Sequence, residues 1–267
     1  MAMDWWSLYS ALLPLSVAAF LFFWSLLLFL TVLSRRHLRE RYGVFSAKFA
    51  VDALTSVMVF VVSGFILKGI DAAPTIALLS TMQLVMQNVL YLCEAIDWWG
   101  ATFSPIDFHS RPFHRRALPY ILGTLGVVLV FAALIVLQIE LGFAKAYLGE
   151  EIATTFSLLI LVVAFVLLVK VLNNQKNTHF VEPITYQVIA CIFLSILPMA
   201  VLTFSLWMFH LGANISVTVL LAIRQTVLTL VLVHTFGHSI FFFSQHQDMK
   251  AASTSLLNRY LLCCRNS

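Results

Sequence analysis

Apolar residues run on along this chain in long blocks instead of alternating with polar ones. Seven blocks are long enough to matter, at roughly 11–33, 46–67, 75–98, 117–139, 152–172, 184–210 and 214–243. A helix needs about 20 apolar residues to cross the hydrocarbon core of a bilayer. Helices are required because lipid offers no partner for free backbone N–H and C=O groups. Short polar or charged segments separate the blocks, and Pro74, Pro119 and Pro183 stand close to block starts, where a missing N–H is tolerated. The sixth and seventh blocks are parted only by Gly212, Ala213 and Asn214. No internal repeat is visible, which disfavours a repeat-built transporter. The pattern predicts an all-α membrane protein: one seven-transmembrane helix bundle over residues 1–267, with a tail at 244–267.

Composition agrees with that pattern. The chain is 61% hydrophobic and only 10% charged, against about 25% charged residues in a soluble domain. Its net charge of +4 comes from 16 Lys+Arg against 12 Asp+Glu. These basic residues flank apolar blocks and form no basic domain, so no nucleic-acid partner is expected. Cys93 and Cys191 lie inside apolar blocks and Cys263 and Cys264 near the C-terminus, so no structural disulfide is expected. The first block has no preceding basic residue and ends in Arg35-Arg36, unlike a cleavable signal peptide.

Charge sets the expected orientation. Arg35, Arg36, Arg39, Arg41 and Lys48 follow the first span, Arg111, Arg115 and Arg116 the third, and Lys170 and Lys176 the fifth, while Lys250, Arg259 and Arg265 lie in the tail. The opposite segments hold only Lys68 and Lys145. The positive-inside rule therefore places the N-terminus outside and the tail in the cytosol. From Met249, the positions Ala252, Leu256, Leu257, Tyr260 and Leu261 recur at helical spacing, which predicts a short C-terminal helix lying in the membrane interface. It ends at Cys263-Cys264-Arg265, where juxtamembrane cysteines are candidates for palmitoylation.

One segment carries a family resemblance. Glu94-Ala-Ile-Asp97-Trp98-Trp-Gly-Ala-Thr-Phe-Ser-Pro105-Ile-Asp-Phe-His109-Ser-Arg111 begins at the cytosolic end of the third span. Its acidic residue, following proline, aromatic and basic residues resemble the end of the third helix in G-protein-coupled receptors. Pro105-Ile106-Asp107-Phe108-His109 with Arg111 is similar to the corresponding loop of nematode serpentine chemoreceptors of class BC. Lys48-Phe49-Ala50-Val51-Asp52 in the second span and Phe193-Leu194-Ser195-Ile196-Leu197-Pro198 in the sixth resemble further patches of that class. The sequence also departs from the receptor pattern. Trp98 stands where an arginine follows the acid in rhodopsin-like receptors, so Asp97 has no arginine to form the usual lock. Gly237-His238-Ser239 occupies the region of the aromatic-proline-tyrosine ending of the seventh span. The asparagine of the first span and the tryptophan before the sixth-span proline are absent.

Ionisable residues inside spans face the bundle or water because lipid exposure costs a few kcal/mol. Asp52, near the cytosolic entry of the second span, is a candidate to hold a cation or take part in switching. Arg224 lies about two to three turns into the seventh span from the outside, where it either reaches back to the outer interface or forms the cationic floor of an outward-opening pocket for an anionic or carbonyl ligand. Gln225, His210 and Trp207 are placed to line the same space. In the third span, Ser80, Gln83, Leu84 and Gln87 share one helix face. The resemblance puts the ligand contacts of this helix at Ser80 to Leu84, and interhelical hydrogen bonding is the alternative role.

Three other classes compete. His234 and His238 are four apart on one helix face, the spacing of a zinc pair in some seven-helix hydrolases. Asp97 could lie near the right depth, but the second span supplies no histidine and His210 belongs to the opposite membrane face, so two histidines near the cytosolic interface account for the pattern better. A ligand-gated channel of the insect olfactory type and a small transporter are the others. The charge asymmetry argues against hydrolase and channel alike, since both keep the N-terminus inside. Asn214-Ile215-Ser216 forms a glycosylation sequon close to the membrane. The expectation is a non-enzymatic chemosensory receptor of the plasma membrane, without cofactor or metal. It binds a small extracellular molecule and signals to a heterotrimeric G protein. Asp52, Asp97, Trp98, Pro105, Arg111 and Pro198 are its switch and coupling residues, with Pro198 as a pivot.

Overall fold

The computed structural model describes residues 5–68, 73–106, 118–120, 122–127, 129–130, 133, 146–177, 183–212 and 214–265. The described residues form helices: α1 (Trp5–Ser34), α2 (Arg36–Leu67), α3 (Ala73–Phe103), the short apolar α4 (Leu118–Val127), α5 (Ala146–Asn177), α6 (Pro183–His210), α7 (Val217–Gln245) and α8 (Gln247–Arg265). Five of them, α1, α2, α5, α6 and α7, contain stretches long and apolar enough to cross a membrane. The chain is an all-α multi-pass membrane protein. The second half of the fourth expected span falls outside the described residues.

Helix lengths exceed the apolar blocks where the flanking sequence keeps helical character. The charged segment before the second block, from Arg36, is already helical, and α2 bends at Tyr42 (φ −117°, ψ 17°) before entering its apolar part. Between α6 and α7 the break is sharp. Gly212 takes a left-handed φ of 86°, a conformation that costs glycine nothing. Ser216 then caps α7 by accepting a bond from the Val219 N–H at 3.2 Å.

The helices close into a ring. α1 packs on α2, α2 on α3, α3 on α5, α5 on α6, α6 on α7, and α7 back on α1. α3 also reaches across to α7, which makes it the inner helix. α4 lies against α3, with Tyr120 beside Leu90 and Cys93 and Val127 beside Val85. A Cβ added at Gly123 would sit 3.1 Å from Val89 Cγ1, so glycine is what allows that approach.

The distribution of side chains is that of a lipid-solvated bundle. Phe20, Phe23, Phe193 and Leu197 are about 60–70% exposed, which water would penalise and hydrocarbon does not. Lys48, Asp52, Glu94, Glu150, Glu151 and Arg224 are buried instead. α3 is not among the most apolar helices because Ser80, Thr81, Gln83, Gln87 and Asn88 interrupt its run, and all five are buried inside the ring.

The tail is helical, as the spacing from Met249 predicts. Met249, Ala252 and Ser253 are buried, and Ser253 shares a hydrogen bond of 2.9 Å with Thr31 of α1. The backbone of Cys263 and Cys264 belongs to α8. At the α7–α8 corner the Tyr42 hydroxyl lies 2.9 Å from His246 Nδ1 and 3.1–3.2 Å from the Asp248 carboxylate, and its ring packs edge-on against Phe242. The α2 bend and the α8 corner are therefore pinned to one phenol. Replacing it by Tyr42→Phe keeps the ring packing and removes the hydroxyl bonds, so thermal unfolding in detergent should show a loss of about 1 kcal/mol. Tyr42→Ala should lose several times more.

Candidate functional site

A column of polar side chains runs along one face of α3. Ser80, Gln83, Gln87, Tyr91 and Glu94 recur every three or four residues, and all are buried. Each has its partner on α2 or α7. Ser80 accepts a bond of 2.8 Å from Gln225 Nε2. Gln83 Nε2 lies 3.5 Å from the Thr55 carbonyl. Gln87 donates to Asp52 Oδ1 at 2.9 Å and accepts from Thr235 at 3.4 Å, and the Tyr91 hydroxyl lies 3.5 Å from the same threonine. Leu84, also buried, shares the Ser80–Gln87 face.

At the far end the column terminates in a charged triad. Lys48 Nζ donates to Glu94 Oε2 at 3.1 Å and lies 2.8 Å from His238 Nδ1. An ammonium group has only donors, so Nδ1 is the acceptor and the ring proton sits on Nε2. That nitrogen lies 3.2 Å from Glu94 Oε1. Lys48, Glu94 and His238 thus close a three-membered cycle of one cation, one anion and one neutral ring, joining α2, α3 and α7. The Lys48 ammonium also lies 5.4 Å from the Tyr91 ring centroid. One turn further along α2, Asp52 Oδ2 has no hydrogen-bond partner among the described residues.

A second charged group occupies the opposite end. Arg224 of α7 pairs with Glu150 of α5, and Thr81 of α3 donates to the same carboxylate at 2.8 Å. Asn88 donates to Ser157 at 2.5 Å, tying α3 to α5. Glu151, fully buried, has His210 Nδ1 at 3.4 Å. Trp207 Nε1 donates to Thr155 at 3.2 Å.

Of the residues expected to bind a ligand, Ser80, Gln83, Leu84, Gln87, Arg224 and Gln225 are brought together inside the ring. Trp207 and His210 lie apart from them, half-open between α5 and α6. Arg224 pairs with Glu150 of α5. Among the switch candidates, Asp52 belongs to the column. Asp97 and Trp98 are half-buried at the end of α3, and Pro105 is exposed. The buried acid that ties helices together at this end is Glu94, one turn before Asp97. Lys48, counted as a flanking charge, is buried in the triad. Arg111 lies outside the described residues. Pro198 sits within an unbroken α6 and lines a cleft of about 460 Å³ with Tyr9, Leu197, Ala222 and Thr226. That cleft contains none of the expected ligand contacts.

The His234–His238 pair is divided between two networks. His234 Nδ1 lies 3.1 Å from the Ser195 hydroxyl, while His238 belongs to the triad and is buried. No group of three or more His, Cys, Asp or Glu suited to a metal ion occurs among the described residues. Sequence reasoning missed Glu94, Lys48 and His238 as partners. The missed signal was the continuation of the α3 spacing beyond Gln87 to Tyr91 and Glu94. Nothing local could have joined Glu150 to Arg224, which are distant in sequence.

Neither a family model nor a curated protein sequence matches this chain.

The triad yields a direct test by unfolding of the purified protein in detergent. Lys48→Met leaves the Glu94 carboxylate buried without its cation and should cost about 3–5 kcal/mol. Adding Glu94→Gln to it should recover most of that loss. A Lys48→Met protein as stable as the parent would show that the ion pair does not form.

Proposed function

We propose that this chain is a chemosensory G-protein-coupled receptor of the plasma membrane, similar to the nematode serpentine class. In this reading seven helices cross the bilayer with the N-terminus outside. A small extracellular molecule binds near the Arg224 end, and a heterotrimeric G protein is engaged at the Lys48–Glu94 end. The observation that carries the reading is the unbroken column from Ser80 to Glu94, which meets α2 and α7 along its length. A helix serving only as an anchor has no use for buried polar groups that need partners at every turn. A receptor has, because hydrogen bonds with two alternative pairings let one end of a bundle bias the other.

The missing arginine beside Asp97 fits the same reading. Lys48 donates to Glu94 from α2, and His238 of α7 stands 3.2 Å from its other oxygen, where a rhodopsin-like receptor carries arginine on α3 itself. Glu94 is then the acid that holds the resting state. Pro198 remains the proposed pivot of α6, and Cys263 and Cys264 the proposed lipidation sites on α8. Receptor, partner and membrane identity rest on the resemblance together with this geometry.

Two measurements test the reading. Epitope tags at each end, stained with and without permeabilisation, should show the N-terminal tag on intact cells and the C-terminal tag only after permeabilisation. In nanodiscs, a panel of purified heterotrimeric G proteins should exchange nucleotide several-fold faster with Glu94→Gln than with the parent, in the absence of ligand. Reversed topology, or no acceleration on any G protein, sinks the proposal.

A further inference from the structure

The charges at the Arg224 end fix the sign of a ligand there. Arg224 is the buried cation of this region among the described residues, and Glu150 already neutralises it with help from Thr81. The next residue, Glu151, is a second carboxylate. It is fully buried, and neither of its oxygens accepts a hydrogen bond among the described residues. Besides the like-charged Glu150, the titratable group beside it among the described residues is His210, 3.4 Å from Oε1 and itself 45% exposed. A carboxylate removed from solvent without donors is strongly disfavoured unless a cation or a proton joins it.

The surroundings of Glu151 suit a cation with an apolar tail. Trp207 lies one turn before His210 on α6, with ring centroids 6.4 Å apart. Its Nε1 is held by Thr155, one turn beyond Glu151 on α5. Trp207 is 39% exposed, so this side of α6 stays open. A primary ammonium offers three donors and no acceptor, which complements a bare carboxylate, and an aromatic face attracts it. An anion would meet uncompensated negative charge. Leu211, next to His210 in the chain, is exposed and apolar, in keeping with an alkyl chain.

We propose that Glu151, flanked by Trp207 and His210, is a binding site for small protonated primary amines with an apolar chain. The sign is opposite to that expected from Arg224. His210 competes with the ligand for the carboxylate. The inference rests on the receptor reading only in taking this site for the ligand site, and it is tested without any G protein.

The experiment is a thermal-shift titration of the purified full chain in nanodiscs. The probes are butylamine and hexylamine, with the matching alcohols and carboxylic acids. The amines should raise the unfolding temperature in a saturable way, and the alcohols and acids should not. Glu151→Gln should abolish the shift, and Glu151→Asp should keep a reduced one. His210→Ala should tighten amine binding several-fold, which a merely structural role for His210 would not produce. The proposal is overturned if acids act like amines, if no amine shifts the protein, if Glu151→Gln binds as before, or if His210→Ala weakens binding. Amine binding through Glu151 without nucleotide exchange on any G protein would uphold the site and sink the receptor reading.

Discussion

Inside a bilayer, a polar side chain must find its partner in the protein, because hydrocarbon supplies none. α3 places Ser80, Gln83, Gln87, Tyr91 and Glu94 in the middle of the ring, and this obligation orders the rest. α2 supplies Thr55, Asp52 and Lys48, and α7 supplies Gln225, Thr235 and His238. Rotating any of the three helices by one residue would strand several donors and acceptors at once, each at about 1–3 kcal/mol. α5 is pinned to α3 by Thr81–Glu150 and Asn88–Ser157, α6 to α7 by Ser195–His234 and to α5 by Trp207–Thr155, and α1 to α8 by Thr31–Ser253. Register in this bundle is thus set by polar pairing, and apolar burial fills the remaining space.

Much of the architecture was legible because lipid imposes a simple rule on sequence. Blocks of about 20 apolar residues read as helices, but α7 begins at Val217 behind the Ser216 cap, not at 214, because a capping hydroxyl does not register in an apolar count. The α3 face at Ser80, Gln83 and Gln87 was legible from its spacing. What spacing cannot give is the partner across the bundle. Arg224 announced an unusual charge but not that Glu150 meets it, since Glu150 stands in an ordinary position at the start of an apolar block. Lys48 was misread for a related reason. A lysine at the edge of a span looks like a topology signal, and only the meeting of α2 with α3 and α7 shows it buried against Glu94 and His238.

The two charged clusters divide the proposed work. At one end, Lys48, Glu94 and His238 hold three helices together through the Lys48 ammonium and the Glu94 carboxylate. One turn away, Asp52 has a carboxylate oxygen without a hydrogen bond among the described residues, an alternative acceptor for the same ammonium. Two acceptors for one lysine are what a two-state element requires. At the other end, Glu151 is the group left incomplete, and His210 at the open rim is a replaceable companion. A ligand that completes Glu151 acts on α5 and α6, and Thr81–Glu150 with Asn88–Ser157 passes the change from α5 to α3.

The central claim is that the column behaves as one unit from end to end. Ser80 and Glu94 are fourteen residues apart, about 21 Å along a helix. Mutations at independent sites that far apart add to within about 0.3–0.5 kcal/mol. The most direct measurement is therefore a double-mutant cycle by unfolding of Gln225→Leu at one end and Lys48→Met at the other, repeated in a Gln87→Leu background. A coupling energy of about 1 kcal/mol or more that vanishes when Gln87 is removed is expected. Strict additivity in the parent background would contradict it and reduce the column to separate local hydrogen bonds.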